Sequence, residues 1–136
     1  LTGNLTKAIV CVDDEAIILM SLKAQLRNHY KNKFLIETSL SGEEAITVIE
    51  ELKNSGVHVQ MLISDWNMPG MRGDQLFSII KEKYPEINLI LITGQADKET
   101  LNALRNSMKV TAILNKPWDP KTLQSYIDSF DTLNES

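Results

Sequence analysis

Met61-Leu62-Ile63-Ser64-Asp65-Trp66-Asn67-Met68-Pro69-Gly70-Met71-Arg72-Gly73 is the stretch on which the fold turns. Its apolar start, Met61 to Ile63, is uninterrupted and too short for a core helix, which predicts a buried strand. The strand ends on Asp65, and Pro69, Gly70 and Gly73 then prevent regular structure until a helical pattern begins near Asp74. A carboxylate at the C-terminal end of a central strand, followed by a rigid loop, stands where open α/β sheets carry their chemistry. A strand-end aspartate can equally do no more than cap a turn. The residues elsewhere in the chain decide between the two readings.

Toward the N-terminus, Ile9-Val10-Cys11-Val12 predicts a first buried strand that runs directly into Asp13-Asp14-Glu15. From Ala16 the period changes: Ile18, Leu22 and Leu26, with Leu19 beside them, give one apolar helix face. Phe34-Leu35-Ile36 predicts a second strand. Ser41 and Glu44 have capping-box spacing, so a helix should begin there, bury Ala45, Val48, Ile49 and Leu52, and stop near Gly56. Beyond the opening stretch, Leu76, Ile79, Ile80 and Tyr84 line a helix that Pro85 terminates. Leu89-Ile90-Leu91-Ile92 is a fourth strand ending at Thr93-Gly94, and Leu101, Leu104 and Met108 mark a shorter helix. Ala112-Ile113-Leu114 is the last strand, closing on Asn115-Lys116-Pro117. Asp119 then caps a final helix with Pro120 at its first position, where a missing N–H costs nothing. Its expected buried stripe is Leu123, Tyr126, Ile127 and Phe130. Five strands alternating with five helices through short connections predict an α/β fold, a parallel sheet covered on both faces.

The bulk numbers agree with one soluble unit. At 136 residues the chain is expected to form a single domain, and 43% hydrophobic with 24% charged residues is ordinary globular composition. A net charge of −4 argues against a nucleic-acid surface, which would be basic. The single cysteine, Cys11, lies in an apolar run and cannot form an internal disulfide, which fits a reducing cytoplasm. No apolar run reaches membrane-spanning length and no signal-peptide pattern is present, so no membrane partner is expected. The chain begins at Leu1 rather than Met, and part of something longer is one expectation.

In a parallel sheet all strand C-termini share one edge, so Asp13-Asp14, Asp65, Thr93 and Lys116 should converge. Three carboxylates close together repel one another and raise their pKa values unless a cation resolves the conflict. Oxygen-only ligands without His or Cys suit a hard ion, and a few carboxylates plus waters suit Mg²⁺. Thr93 adds a hydroxyl donor and Lys116 a point positive charge, both suited to phosphoryl oxygens. The chemistry these groups imply is phosphoryl transfer onto a carboxylate.

This set resembles the receiver (response-regulator) domains of two-component signalling, and Asp65-Trp66-Asn67-Met68-Pro69 resembles the chemotaxis-type receivers closely. The resemblance spans roughly Lys7 to Phe130. It implies a flavodoxin-like, doubly wound sheet of order 2-1-3-4-5 and a cis bond before Pro117. It also implies that Asp65 takes a phosphoryl group from a histidine kinase or a histidine phosphotransfer protein. Asp13, Asp14, Asp65 and the backbone carbonyl of Asn67 would then hold Mg²⁺, one of the acid pair through water. Thr93 would follow the phosphoryl group and Lys116 would pair with it. Such a domain is a regulatory phosphoacceptor that catalyses only its own phosphotransfer and dephosphorylation. It signals to an output domain or protein through the face formed by its fourth helix, fifth strand and fifth helix. One position departs from the pattern: the residue three before the lysine is often an aromatic that swings with the switch, and here it is Ile113.

Other functions on similar folds fit less well. A flavodoxin-like FMN binder would need a hydroxyl-rich loop after the first strand, where Asp13-Asp14-Glu15 would repel phosphate. A Mg²⁺-dependent phosphohydrolase with an Asp nucleophile typically carries Asp-x-Asp at that place, and adjacent Asp13 and Asp14 cannot point as such a pair does. A pseudo-receiver used only for binding has no need of an intact acid pocket. Trp66 and Trp118 read as packing residues, with a partner surface the alternative for Trp118. His29 and His58 lack partners, Met61, Met68 and Met71 read as gap fillers, and Cys11 as core. The kinase, the output, and whether the domain is free-standing or part of a relay or multidomain protein stay open.

Overall fold

Every predicted apolar run falls in a strand except Phe34, which precedes its strand by one residue, and each strand extends past its apolar run because the parallel ladder continues for as long as neighbouring backbones stay paired. In the computed structural model, which describes residues 6–94, 98, 99, 101, 102, 106 and 112–132, the strands are β1 (Lys7–Val12), β2 (Leu35–Ser39), β3 (His58–Asp65), β4 (Asn88–Thr93) and β5 (Ala112–Asn115). All pair in parallel, in the order β2-β1-β3-β4-β5. The order reverses direction between β1 and β3, so the helices that follow these two strands leave on opposite faces and a crevice opens between them.

Four helices are defined among the described residues: α1 (Ala16–Tyr30), α2 (Gly42–Asn54), α3 (Gly73–Lys83) and α4 (Pro120–Thr132). The sequence predicts five. The remaining one, expected around Leu101, Leu104 and Met108, falls largely outside the described residues; of that stretch Lys98, Glu99, Leu101, Asn102 and Asn106 are helical. Ser41 caps α2 by accepting from the Glu44 amide at 3.1 Å, as its spacing predicts. Among the described residues no helix is long and apolar enough to cross a membrane.

The period-two alternation of each central strand sorts the core into two layers. Ile9, Cys11, Met61, Ile63, Ile90 and Ile92 point to one face, where Leu19, Leu22, Leu26 and Tyr30 of α1 and Leu123 and Ile127 of α4 meet them. Val10, Val12, Leu62, Leu89 and Leu91 point to the other, under Ala45 and Ile49 of α2 and Leu76, Phe77 and Ile80 of α3. The helix stripes differ from expectation in detail. On α1 the buried line runs through Leu19 and Tyr30, and Ile18 is only half-buried, because the helix turns its 19-22-26-30 face to the sheet. On α3 Phe77 takes the buried place expected for Ile79. On α4 Tyr126 is 38% exposed; it lies at the rim of a stripe that Leu123 and Ile127 suffice to fill.

The N-terminal edge of the sheet is locked by a charge inside the protein. Asp131, near the end of α4, is 1% exposed and lies 3.1 Å from Lys7 Nζ and 2.7 Å from Lys33 Nζ. Burial alone would raise its pKa, but the two ammonium groups outweigh burial and hold it below the ordinary carboxylate range. A depressed folded-state pKa gives stability that is complete above the unfolded value near 4 and is lost as pH falls through the folded value. Asp131→Asn should therefore lower unfolding free energy at pH 7 by about 3 kcal/mol, the lower end for breaking a buried ion pair, since both lysines retain some solvent contact. Denaturant melts of the two proteins at pH 7 and pH 3 check this, with the difference shrinking at the acid end.

Candidate functional site

Four strand ends meet at the carboxyl edge. Asp13 follows β1, Asp65 ends β3, Thr93 ends β4 and Lys116 follows β5. Backbone hydrogen bonds carry the ladder beyond the strands and hold these residues in register: Asp13 N–H donates to Ser39 O at 3.2 Å, Trp66 N–H to Ile92 O at 3.3 Å and Lys116 N–H to Thr93 O at 2.9 Å. The bond between Lys116 and Pro117 is cis. A cleft of about 510 Å³ opens over this edge, lined by Asp14, Glu15, Asp65, Trp66, Asn67, Thr93, Gly94 and Lys116.

The sites of the three carboxylates differ. Asp13 and Asp65 are buried and Asp14 is exposed, yet one carboxylate oxygen from each lies within 4.8 Å of the others. Asp13 uses both oxygens. Oδ1 accepts the Glu15 amide at 2.9 Å, which opens α1 where Glu15 offers no side-chain cap of its own. Oδ2 takes Lys116 Nζ at 2.8 Å, and the same ammonium stands 3.3 Å from Asp65 Oδ1. Burial, and then the charge of Asp13, push the Asp65 carboxyl above its ordinary value; Lys116 and the Asn67 backbone offset only part of this. For Lys116, burial would lower the pKa, but the hydrogen bond and charge of Asp13 and the charge of Asp65 outweigh it, so the amine is held as ammonium.

The loop after Asp65 is shaped by close approach. Gly70 has φ +79°, a left-handed conformation that a side chain would strain. At Gly73 a Cβ would stand 2.5 Å from the Asp65 carbonyl oxygen and 3.0 Å from Trp66 Cα. Gly73 N–H donates to Trp66 O at 2.9 Å. The first turn of α3 is thus pressed against the backbone of the strand-end aspartate, and α3 begins one residue before the Asp74 expected from sequence. Arg72 pairs with Asp74 at 3.0 Å and its guanidinium carbon lies 5.8 Å from the Trp66 ring centre, which steadies the outer wall.

Every candidate from the sequence lies at this edge: Asp13, Asp14, Asp65, Asn67, Thr93 and Lys116. Glu15, Trp66 and Gly94 also line the cleft; their adjacency to the strand-end residues was the one available signal. An all-oxygen donor set of three acids brought within 4.8 Å of one another fits a hard divalent cation such as Mg²⁺. Cys11 is fully buried, and burial pushes its thiol up to about 12, so it offers no thiolate.

A doubly wound sheet with an acidic, lysine-bridged pocket at its carboxyl edge defines a class of α/β protein suited to phosphoryl chemistry. Residues 9–128 match the family model described as the response regulator receiver domain. The chain belongs to that family, the receivers of two-component signalling. It is 30% identical over 115 residues to the hydrogenase transcriptional regulatory protein HoxA of Cupriavidus necator, covering 85% of this chain but 22% of HoxA. It is 28% identical over 123 residues to chemotaxis protein CheY1 of Helicobacter pylori, covering 88% of this chain and 93% of CheY1. A response regulator receiver domain structure from Clostridium thermocellum superposes with a TM-score of 0.82 at 25% identity, over 96% of this chain and 98% of that one.

A carboxyl whose folded-state pKa is raised costs stability while ionised, and the cost disappears as pH falls toward the unfolded value. Asp65→Asn should therefore raise the thermal midpoint at pH 7 in the absence of divalent cations. The gain should shrink progressively as the pH is lowered to about 4. Melting curves of both proteins over that range are the check.

Proposed function

We propose that this receiver is a phosphorylation-dependent switch whose phosphoacceptor is Asp65. The single observation that carries the reading is the juxtaposition of Asp13, Asp14 and Asp65 within 4.8 Å, with the Lys116 ammonium 2.8 Å from Asp13 and 3.3 Å from Asp65. On this reading an Asp65 carboxylate oxygen attacks the phosphorus of a phosphohistidine on a histidine kinase or phosphotransfer protein. The new O–P bond forms as the P–N bond breaks, and its electron pair leaves on the imidazole nitrogen, which takes up a proton from solvent. Asp13, Asp14, Asp65 and the backbone carbonyl of Asn67 would hold Mg²⁺. When bound, that ion supplies positive charge that offsets an anionic donor in an anionic pocket.

The remaining roles belong to the chain's own side chains. Lys116, already an ammonium, leaves its bond to Asp13 or shares it and pairs with a phosphoryl oxygen. Thr93 donates its hydroxyl to another. The phosphoryl group adds close to two negative charges and three strong acceptor oxygens. Thr93 and Lys116 lie at the ends of β4 and β5, so their movement passes to the segment after β4, to Ile113 and to α4, the face we assign to the output partner. Ile113 is a half-buried aliphatic packed against the α2–α3 layer, so any switch there works by repacking rather than by an aromatic ring changing sides. We read 1–136 as a single receiver unit of the cytoplasm, without a nucleic-acid surface of its own.

The test is labelling with acetyl phosphate. One phosphoryl group per chain should appear only with a divalent cation, should be acid-tolerant and base-labile as an acyl phosphate is, and should map to Asp65. Full labelling of Asp65→Asn, or labelling indifferent to EDTA, would overturn the assignment.

A further inference from the structure

Lys116 reaches its carboxylates through a flexible four-carbon stem, so something must fix the backbone from which it reaches. On one side the Lys116 amide is anchored to Thr93 O at 2.9 Å. On the other, only Pro117 separates it from Trp118, whose indole Nε1–H donates to Gln25 Oε1 at 2.9 Å. An indole N–H can only donate, so the Gln25 amide must present its oxygen, and its Nε2 then lies 3.4 Å from Ser21 Oγ one turn earlier on α1. The Trp118 ring is partly buried against the core layer to which Leu22 and Leu26 of α1 and Leu123 and Ile127 of α4 belong. Proline locks its own φ, so few free torsions lie between the anchored indole and Lys116.

We propose that Gln25 and Trp118 are positioning residues for Lys116, their hydrogen bond tying the lysine's loop to α1 and setting the reach of its ammonium between Asp13 and Asp65. The contacts close a ring. Asp13 Oδ1 holds the first turn of α1 through Glu15, Gln25 holds Trp118, Trp118 fixes the backbone of Lys116, and Lys116 returns to Asp13 Oδ2. Neither Gln25 nor Trp118 touches Asp65; both act through the lysine. The effect on phosphorylation rests on the phosphoacceptor reading, whereas the effect on the lysine does not.

The test compares Gln25→Leu, Gln25→Glu and Trp118→Phe with the parent protein by two readouts. One is the rate of labelling by acetyl phosphate with Mg²⁺; the other is the ¹H–¹⁵N signal of the Lys116 ammonium with no donor present. Leucine is a good helix former at a half-buried helical position and phenylalanine keeps an apolar ring, so both variants should fold. Gln25→Leu and Trp118→Phe should each slow labelling about three- to tenfold, the equivalent of one neutral hydrogen bond. Each should shift or broaden the ammonium signal, and the double variant should be no slower than either single one. Gln25→Glu keeps an acceptor and should restore both readouts. An unchanged Lys116 signal in Gln25→Leu overturns the proposal even where labelling slows, because the slowing would then not pass through the lysine. If the parent protein takes no label, the phosphoacceptor reading falls alone, and the ammonium signal still decides whether Gln25 and Trp118 hold Lys116.

Discussion

Three carboxylates brought to one edge of a sheet repel one another, and the ammonium of Lys116 between Asp13 and Asp65 is what makes the arrangement tolerable in the protein alone. Nearly every local feature of this edge serves that contact. The strand order places β1 and β3 side by side, so Asp13 and Asp65 are neighbours in space although far apart in sequence. β5 delivers Lys116 across β4, with its backbone held on Thr93. Gly73 lets α3 press against the Asp65 backbone where any side chain would push it away. One cation among three acids still leaves excess negative charge, and burial together with the charge of Asp13 keeps the Asp65 carboxyl above its ordinary value. A pocket with that residual charge is suited to bind a further cation.

The opposite edge shows the same residue type under the opposite balance. Asp131 is buried like Asp65, but among the described residues the charges that shift it are those of two lysines, so its pKa is lowered rather than raised. Asp131 locks the end of α4 to the start of β1 and contributes stability. Asp65, with its carboxyl pushed upward, costs stability whenever it is ionised. Two buried aspartates in one small domain thus differ through the balance struck against burial: two ammonium groups outweigh it at Asp131, whereas at Asp65 the charge of Asp13 adds to it and Lys116 offsets only part.

The strands, their parallel pairing and the convergence of Asp13, Asp14, Asp65, Thr93 and Lys116 were legible because they follow from short apolar runs and from the rule that parallel strands share a carboxyl edge, while the strand order followed only from the resemblance to receivers. Helix faces were legible only to within one or two positions. A helical stripe offers Ile18 or Leu19, and Phe77 or Ile79, as near equals, and the packing of the whole sheet chooses between them. The pairing of Lys116 with Asp13 was not legible, since adjacency at an edge does not say which oxygen a flexible ammonium selects. Gln25 with Trp118, and Asp131 with Lys7 and Lys33, join residues about a hundred positions apart with no periodic signal to connect them. The glutamine reads from sequence as one more polar position on a helix surface, and the buried aspartate as one more solvated acid.

The central claim is that the three acids and the lysine act as one coupled, net-negative site suited to a divalent cation. A Mg²⁺ titration, followed through the side-chain carboxyl ¹³C signals of the aspartates, tests it most directly. The account expects Asp13, Asp14 and Asp65 to respond together along one binding curve, with the Lys116 ammonium signal moving in step as its bond to Asp13 is loosened, and expects Asp14→Asn to weaken that curve. Carboxyl signals that move independently, or a titration unaltered by Asp14→Asn, would contradict it.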